Sequence, residues 1–305
     1  MISIYPTFYH TFQCKANHCK YTCCQKWDVP IDDDIANFYN ALPTPLGETL
    51  RRTMKADEEE GYAFVFPEHQ PLCPLLTSDG LCQIILELGE NALSNVCHNH
   101  PRFYKYIEDL ELCGVGLSCE AAVDGLLAHT HNNIHFTIED DTNTRKDIDH
   151  IILKDIFQFL QLDTDNKIFD YLPITDGSLN HYEELINIYA QTEAVDTNWS
   201  QEITELKQYL HTNTTVTNAL ITYINNHRLA LNRVYQYIIY RQLDMLADYS
   251  LSATIQYATE ATHFIALASA VNGNLSEAIR RWSEQIEYNE ETIKLLLSIY
   301  EKKNG

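Results

Sequence analysis

Apolar residues recur at helical spacing through most of the second half of the chain. Ile151, Ile152, Ile156, Phe157 and Leu160 predict a helix over Ile148–Leu162, and Tyr182, Leu185, Ile186 and Tyr189 predict another over Ser178–Ala190. A longer stripe runs from about Val216 to Tyr249 through Ile221, Ile224, Leu229, Leu231, Val234, Tyr235, Ile238, Ile239 and Leu243. Two more helices are predicted at about Ala253–Val271 and Leu275–Lys303, separated by the turn signal Asn272-Gly273-Asn274. The front of the chain lacks such long stripes. Pro30, Pro43, Pro45, Gly47, Gly61, Pro67, Pro71, Pro74 and Gly80 break it into short pieces. Short helices are predicted at Ile31–Leu42, Gln83–Leu88, Asn91–Cys97 and from Cys119 to Leu127, the last with Ser118 as N-cap.

This pattern predicts a mainly α protein. A loop-rich, Cys-rich, metal-binding N-terminal module (1–128) is followed by a polar linker (129–147, with one short strand at His135–Ile138) and an all-helical C-terminal domain (148–305). The 305 residues suffice to bury a real core, and no fixed-period repeat is present. A net charge of −22 with only 21 Lys and Arg argues against tracking a nucleic-acid backbone and favours cationic partners, such as a protein presenting lysine. The first residues lack the basic-then-apolar pattern of a secretory leader, and no apolar run is long enough to span a bilayer. A cytoplasmic location is therefore expected, where thiols stay reduced.

All nine cysteines fall within the first 119 residues. Cys14, Cys19, Cys23 and Cys24 form C-x4-C-x3-C-C, followed by Cys73-Pro74, Cys82, Cys97 with His98 and His100 beside it, Cys113 and Cys119. Soft thiolates gathered in one segment are what a zinc or iron–sulfur site needs, and the spacing alone does not choose between the two. Cys19 and Cys23 would share a face on a helical turn, whereas the neighbours Cys23 and Cys24 would diverge there by about 100°. Cys82 and Cys119 stand at expected helix starts, where the dipole favours a thiolate. C-x3-C-x2-C is nearly met at Cys19 and Cys23 but fails at Lys26, and no dinucleotide, P-loop or H-E-x-x-H motif is present.

The array resembles the flagellin lysine N-methylase (FliB-type) family. The residues that carry this likeness are Cys14-x4-Cys19-x3-Cys23-Cys24-x2-Trp27, Cys73-Pro74-x-Leu76 and Gly80-x-Cys82-Gln83-Ile84, then Leu88-Gly89-Glu90-x2-Leu93-Ser94-x2-Cys97, Pro101-Arg102 and Leu117-Ser118-Cys119. It is similar, more loosely, to small bacterial zinc- or iron-chelating proteins with a C-x3-C-C pattern. The first resemblance covers about 10–127, and beyond 130 it is only general. It implies a bacterial, 4Fe–4S-containing methyltransferase that moves a methyl group from S-adenosylmethionine to lysines of a protein substrate, possibly flagellin. The thiols matching family positions are Cys14, Cys19, Cys23, Cys24, Cys73, Cys82, Cys97 and Cys119, while Cys113 matches none and reads as a core thiol. Glu120 departs from the family's proline. Eight matching thiols exceed one four-ligand site, so a second site or a thiol-lined pocket is expected. Catalytic and cofactor-contacting residues are not identified.

Plainer readings stand beside these. The thiols could staple the module through zinc as a non-catalytic chelating or interaction protein. His98 and His100 read as a polar turn or as further ligands, and Trp27 as a roof over the centre. Tyr235, Tyr237, Tyr240 and Tyr249 read as core, or as an aromatic channel for a lysine. The acidic runs Glu58–Glu60 and Glu139–Asp141 read as solvated loops.

Overall fold

The computed structural model describes residues 2–25, 29–57, 61–66, 72–140, 148–162, 164–174, 179–212 and 216–304. The expectations for Lys26, Trp27, Glu58–Glu60, Pro67, Pro71, Asp141, Ser178 and the linker stretch 141–147 fall outside the described residues. The contacts divide the chain into two units, Gln13–Phe103 and Met1–Phe12 with Tyr104–Gly305. This division departs from the expected boundaries at 128 and 148. The reason is strand β1 (Ile2–Pro6), which ties the N-terminal residues to strands that come after the thiol-rich stretch.

The unit Gln13–Phe103 contains β2 (Pro30–Ile31), α1 (Asp33–Ala41), α2 (Pro45–Thr53), β3 (Met54–Asp57), β4 (Gly61–Phe64), α3 (Gln83–Leu88) and α4 (Asn95–Asn99). The strands pair antiparallel in the order β2-β4-β3, with Ile31 opposite Tyr62 and Lys55 opposite Ala63. Thr44 caps α2 by accepting the Gly47 N–H, and Pro45 sits at the first helical position, where its missing donor does no harm. Arg51 reaches back from α2 and donates to the carbonyls of Tyr39, Asn40 and Leu42, which close the end of α1. The Asp32 carboxylate takes the backbone N–H of Asn95 (2.7 Å) and its side-chain amide (2.6 Å), tying the start of α1 to the start of α4. Inside lies one apolar cluster of Val29, Ile31, Ala36, Tyr39, Leu46, Leu50, Phe64, Leu75, Ile84 and Ala92.

The other unit carries the rest of the strands, β5 (Arg102–Ile107), β6 (Leu110–Val115), β7 (Phe136–Asp140) and β8 (Ile148–Ile151), in a five-stranded sheet ordered β5-β6-β1-β7-β8. β1 runs parallel to β6 and antiparallel to β7, and β8 is antiparallel to β7. The helices are α5 (Glu120–Ala128), α6 (Leu153–Phe159), α7 (Leu179–Tyr189), α8 (Asn198–Thr212), α9 (Val216–Asn226), α10 (Arg228–Arg241), α11 (Leu251–Asn272), α12 (Leu275–Ile286) and α13 (Glu290–Asn304). The expectation of a mainly α protein holds. The part after 148 is not purely helical, because the first apolar residues of the expected helix Ile148–Leu162 belong to β8. The long stripe from Val216 to Tyr249 breaks at His227, and the segment Leu275–Lys303 breaks between Ile286 and Glu290. Cys119, not Ser118, is the N-cap of α5.

α11 is buried on nearly all sides and packs with α7, α8, α9, α10, α12 and α13, which explains its apolar, weakly one-sided sequence. It ends at Gly273, whose φ of +69° lies in the left-handed region, and Asn274 then caps α12 by accepting the Glu277 N–H. α10 is the polar counterpart. Tyr240 reaches the carbonyls of Ile4 (2.7 Å) and Cys113 (2.8 Å), while Tyr237 accepts the Val115 N–H and meets its carbonyl. Tyr235 donates to Ile168, and Gln236 accepts the Ile134 N–H. The tyrosines of α10 are thus core groups wired to backbone, and an aromatic lysine channel through them is overturned. No helix among the described residues is long and apolar enough to cross a membrane.

Candidate metal centre

Four thiols from three separate stretches of the thiol-rich unit act on one another electrostatically: Cys24, Cys73, Cys82 and Cys97. Local structure explains the convergence. The Cys73 N–H donates to the Cys24 carbonyl (3.0 Å), and Gln25 bridges Leu72 beside it, so the first loop is held against the second. Leu76 bridges Cys82, and the Gln83 N–H donates to the Leu75 carbonyl (2.9 Å), which folds Cys82 back toward Cys73. That turn closes through Gly80, whose φ of +76° is the left-handed backbone that glycine adopts freely. Cys97 arrives on α4. Cys73, Cys82 and Cys97 all pack against the apolar cluster, on which Leu75, Ile84 and Ala92 are their neighbours in sequence or turn.

The chemistry of the four sulfurs differs by position. Cys24 is held down at about 7 because the Cys23 thiol hydrogen-bonds to it, with a smaller contribution from the Thr22 hydroxyl, against the effect of burial. Burial pushes Cys73 up to about 12, opposed by the Leu75 N–H and reinforced by the thiols of Cys24, Cys82 and Cys97. Burial also raises Cys82, opposed by the N–H groups of Ile85 and Ile84 at the start of α3, as the expected helix start requires. Cys97 is raised by burial, opposed by the Ser94 hydroxyl. Three half-buried thiols raised by burial, with Cys24 adding to the effect on each, have a common solution, which is a shared cation that lets them ionise together.

The donor set therefore fits a thiolate-held metal or cluster. Backbone N–H groups of Leu75, Ile84 and Ile85 already aim at sulfurs, the outer hydrogen bonding that orients metal ligands. Among the described residues, no three of these sulfurs lie all within 4.8 Å of one another. A single tetrahedral zinc with bonds of ~2.3 Å would hold its four sulfurs about 3.8 Å apart.

The remaining candidates are distributed differently. Cys23 joins the group through Cys24. Cys14 is exposed, with its sulfur accepting the Ala16 N–H (3.3 Å), and Cys19 is half-buried at the end of the turn Ala16–His18. Cys119 belongs to the other unit, half-buried at the start of α5. Cys113 is fully buried in β6, as a core thiol should be, and burial with its Tyr5 and Glu111 neighbours leaves it at about 12. His98 is exposed near the Glu90 carbonyl, and burial pushes His100 down to about 4. The sequence reading missed a separate group, His181, Glu260 and His263, in the helical unit. The signal for it was the Glu260-x-x-His263 spacing on one helix.

The geometry defines a mainly helical protein in which several thiols are gathered in one unit. Over 126 residues, 40% of its length, the chain is 25% identical to the Lysine-N-methylases of Salmonella typhimurium and Salmonella choleraesuis. The match spans 31% of those relatives' own length, about a third. A Flagellar biosynthetic protein FliU of Salmonella muenchen is equally similar over 126 residues, which cover 75% of that relative. The resemblance to the flagellin lysine N-methylase family, expected from the cysteine spacing, therefore holds against curated proteins. No family model and no solved structure matches the chain.

Proposed function

We propose that this protein is a protein-lysine N-methyltransferase that uses S-adenosylmethionine and a 4Fe–4S cluster, with flagellin as a candidate substrate. The observation that carries the reading is the convergence of Cys24, Cys73, Cys82 and Cys97 in a chain similar to lysine-N-methylases. Thiolate donors suit either a cluster or zinc, and the likeness to the lysine-N-methylases favours the cluster. Cys73, Cys82 and Cys97 would hold it from the apolar side, with Cys24 in the loop against Cys73. A cluster held by only three of these four thiolates would keep one iron free to chelate the amino and carboxylate groups of S-adenosylmethionine.

The transfer itself needs a neutral lysine amine. Its lone pair forms the new N–C bond as the S–C bond breaks, the electron pair leaves on S-adenosylhomocysteine, and the amine's proton passes to a base. The net charge of −22 attracts the cationic form of such a substrate. The protein is to be purified and reconstituted without oxygen, then incubated with methyl-labelled S-adenosylmethionine and flagellin or other lysine-rich proteins. Label on lysine, lost in Cys73→Ala and Cys97→Ala, is the expected result. A colourless protein that holds zinc tightly and transfers no methyl group would instead establish a non-catalytic chelating protein.

A further inference from the structure

We propose that His181, Glu260 and His263 form a binding site for one divalent transition-metal ion, separate from the thiol centre. All three ligand atoms lie within 4.8 Å of one another inside the helical unit. His181 Nε2, from α7, stands 2.8 Å from Glu260 Oε2, and His263 Nδ1 stands 3.4 Å from the same oxygen. Glu260 and His263 sit three residues apart on α11, so they share one face, and Glu-x-x-His is a spacing by which helices in bundles present metal ligands. An ion with bonds of ~2.1 Å holds adjacent octahedral ligands about 3.0 Å apart and tetrahedral ones about 3.4 Å apart, and the observed separations bracket that range.

The second nitrogen of His263 supplies the independent argument. Its Nε2 lies 3.4 Å from the Leu172 carbonyl, which can only accept. A neutral ring carries one proton. Donated to Leu172, that proton fixes the tautomer in which Nδ1 turns its lone pair toward the Glu260 carboxylate, the outer contact that metal-bound histidines make. Without an ion, a proton on Nδ1 occupies that place in the contact with Glu260, and a metal ion would displace it. His263 is 4% exposed and Glu260 9%, so water does little to screen the arrangement, whereas His181 at 35% leaves a way in. Glu260 also lines an open cavity of about 600 Å³ together with Asp165, Gln256, Thr259 and Asn304, which brings solvent to its side of the site. The buried Tyr171 hydroxyl has no hydrogen-bond partner, and its ring stands 5.3 Å from that of His263.

Imidazole and carboxylate suit manganese, iron, cobalt or zinc, whereas thiolates bind manganese poorly. Mn²⁺ is therefore the probe, added to the full chain without oxygen and followed by loss of the free-ion electron paramagnetic resonance signal. One Mn²⁺ per chain is expected, with affinity weakened on the order of 10- to 100-fold or more in His181→Gln and Glu260→Gln. The same site should persist in Cys73→Ala/Cys97→Ala, whose thiol centre is gone, so this result stands or falls independently of the methyltransferase reading. His181→Gln is the safer variant because that side chain is partly exposed, and helical circular dichroism confirms its fold. Failure of folded wild-type chain to bind Mn²⁺ would overturn the proposal. So would binding that ignores His181→Gln, or that disappears with the cysteines.

Discussion

The two units are built on opposite physical terms. In the helical unit a continuous core of large side chains does the work: Trp282, Tyr189, Tyr257, Phe157 and Tyr300 are all essentially inaccessible. Tyr240 and Tyr237 meet backbone carbonyls, although the hydroxyls of Tyr171, Tyr257 and Tyr300 are buried without a partner. The thiol-rich unit has one modest apolar cluster, short helices and a three-stranded sheet, and three of the cysteines sit at the edge of that cluster. A small core of this kind needs a staple, and buried thiols supply one once they share an ion. The lesson is that cysteine content tracks where hydrophobic burial is insufficient. Seven of the nine cysteines lie in Gln13–Phe103, and the two in the other unit, Cys113 and Cys119, both precede α5.

Several variants break or sharpen this contrast. The largest effect is expected from Cys73→Ala/Cys97→Ala, which should abolish the bound metal and the cooperative unfolding of residues 13–103. Hydrogen exchange resolved by segment should then show the helices α7–α13 still protected. In the other direction, Trp282→Ala should destabilise the helical unit by about 3–5 kcal/mol, because it empties a fully buried indole site and removes the Nε1 donor to Tyr189. Chemical denaturation followed in the helical segments measures this, and bound metal should be unchanged. Tyr240→Phe keeps the ring but leaves the carbonyls of Ile4 and Cys113 without their hydroxyl, and should cost about 1–3 kcal/mol in the same assay.

The smallest expected effect is a pH dependence confined to the thiol-rich unit. Burial lowers His100 from 6.5 to about 4, so the unfolded chain takes up its proton first. The stability held by keeping His100 neutral is complete above pH 6.5 and is lost as the pH falls from there toward 4. Segment-resolved exchange across this window should show residues 13–103 loosening, and His100→Gln should flatten the slope.

Much of the helical scaffold was legible from periodicity. Gln83–Leu88 matches its expected span because Cys82 and Gly89 bracket it, and the Asn272-Gly273-Asn274 turn separates α11 from α12 as read. The five-stranded sheet was not legible. β1 pairs with β6 more than a hundred residues away, and five residues of alternation carry too little signal to announce such a partner. The break of the long stripe at His227 was hidden because apolar spacing continues across it. At the candidate centre, sequence identified the donor type and the segment. It did not separate Cys24, Cys73, Cys82 and Cys97 from Cys14 and Cys119, because that sorting depends on loop contacts such as Cys73 N–H to the Cys24 carbonyl. His181 was invisible for a similar reason, lying 79 positions from Glu260.

Iron and sulfide content, with visible absorbance, measured on the anaerobically reconstituted chain and on single Cys→Ala variants tests the central claim most directly. The account predicts one cluster per chain, lost or severely depleted in Cys73→Ala, Cys82→Ala and Cys97→Ala, weakened in Cys24→Ala, and intact in Cys14→Ala and Cys113→Ala. A cluster that survives loss of Cys73, Cys82 and Cys97 but disappears with Cys14 would contradict it.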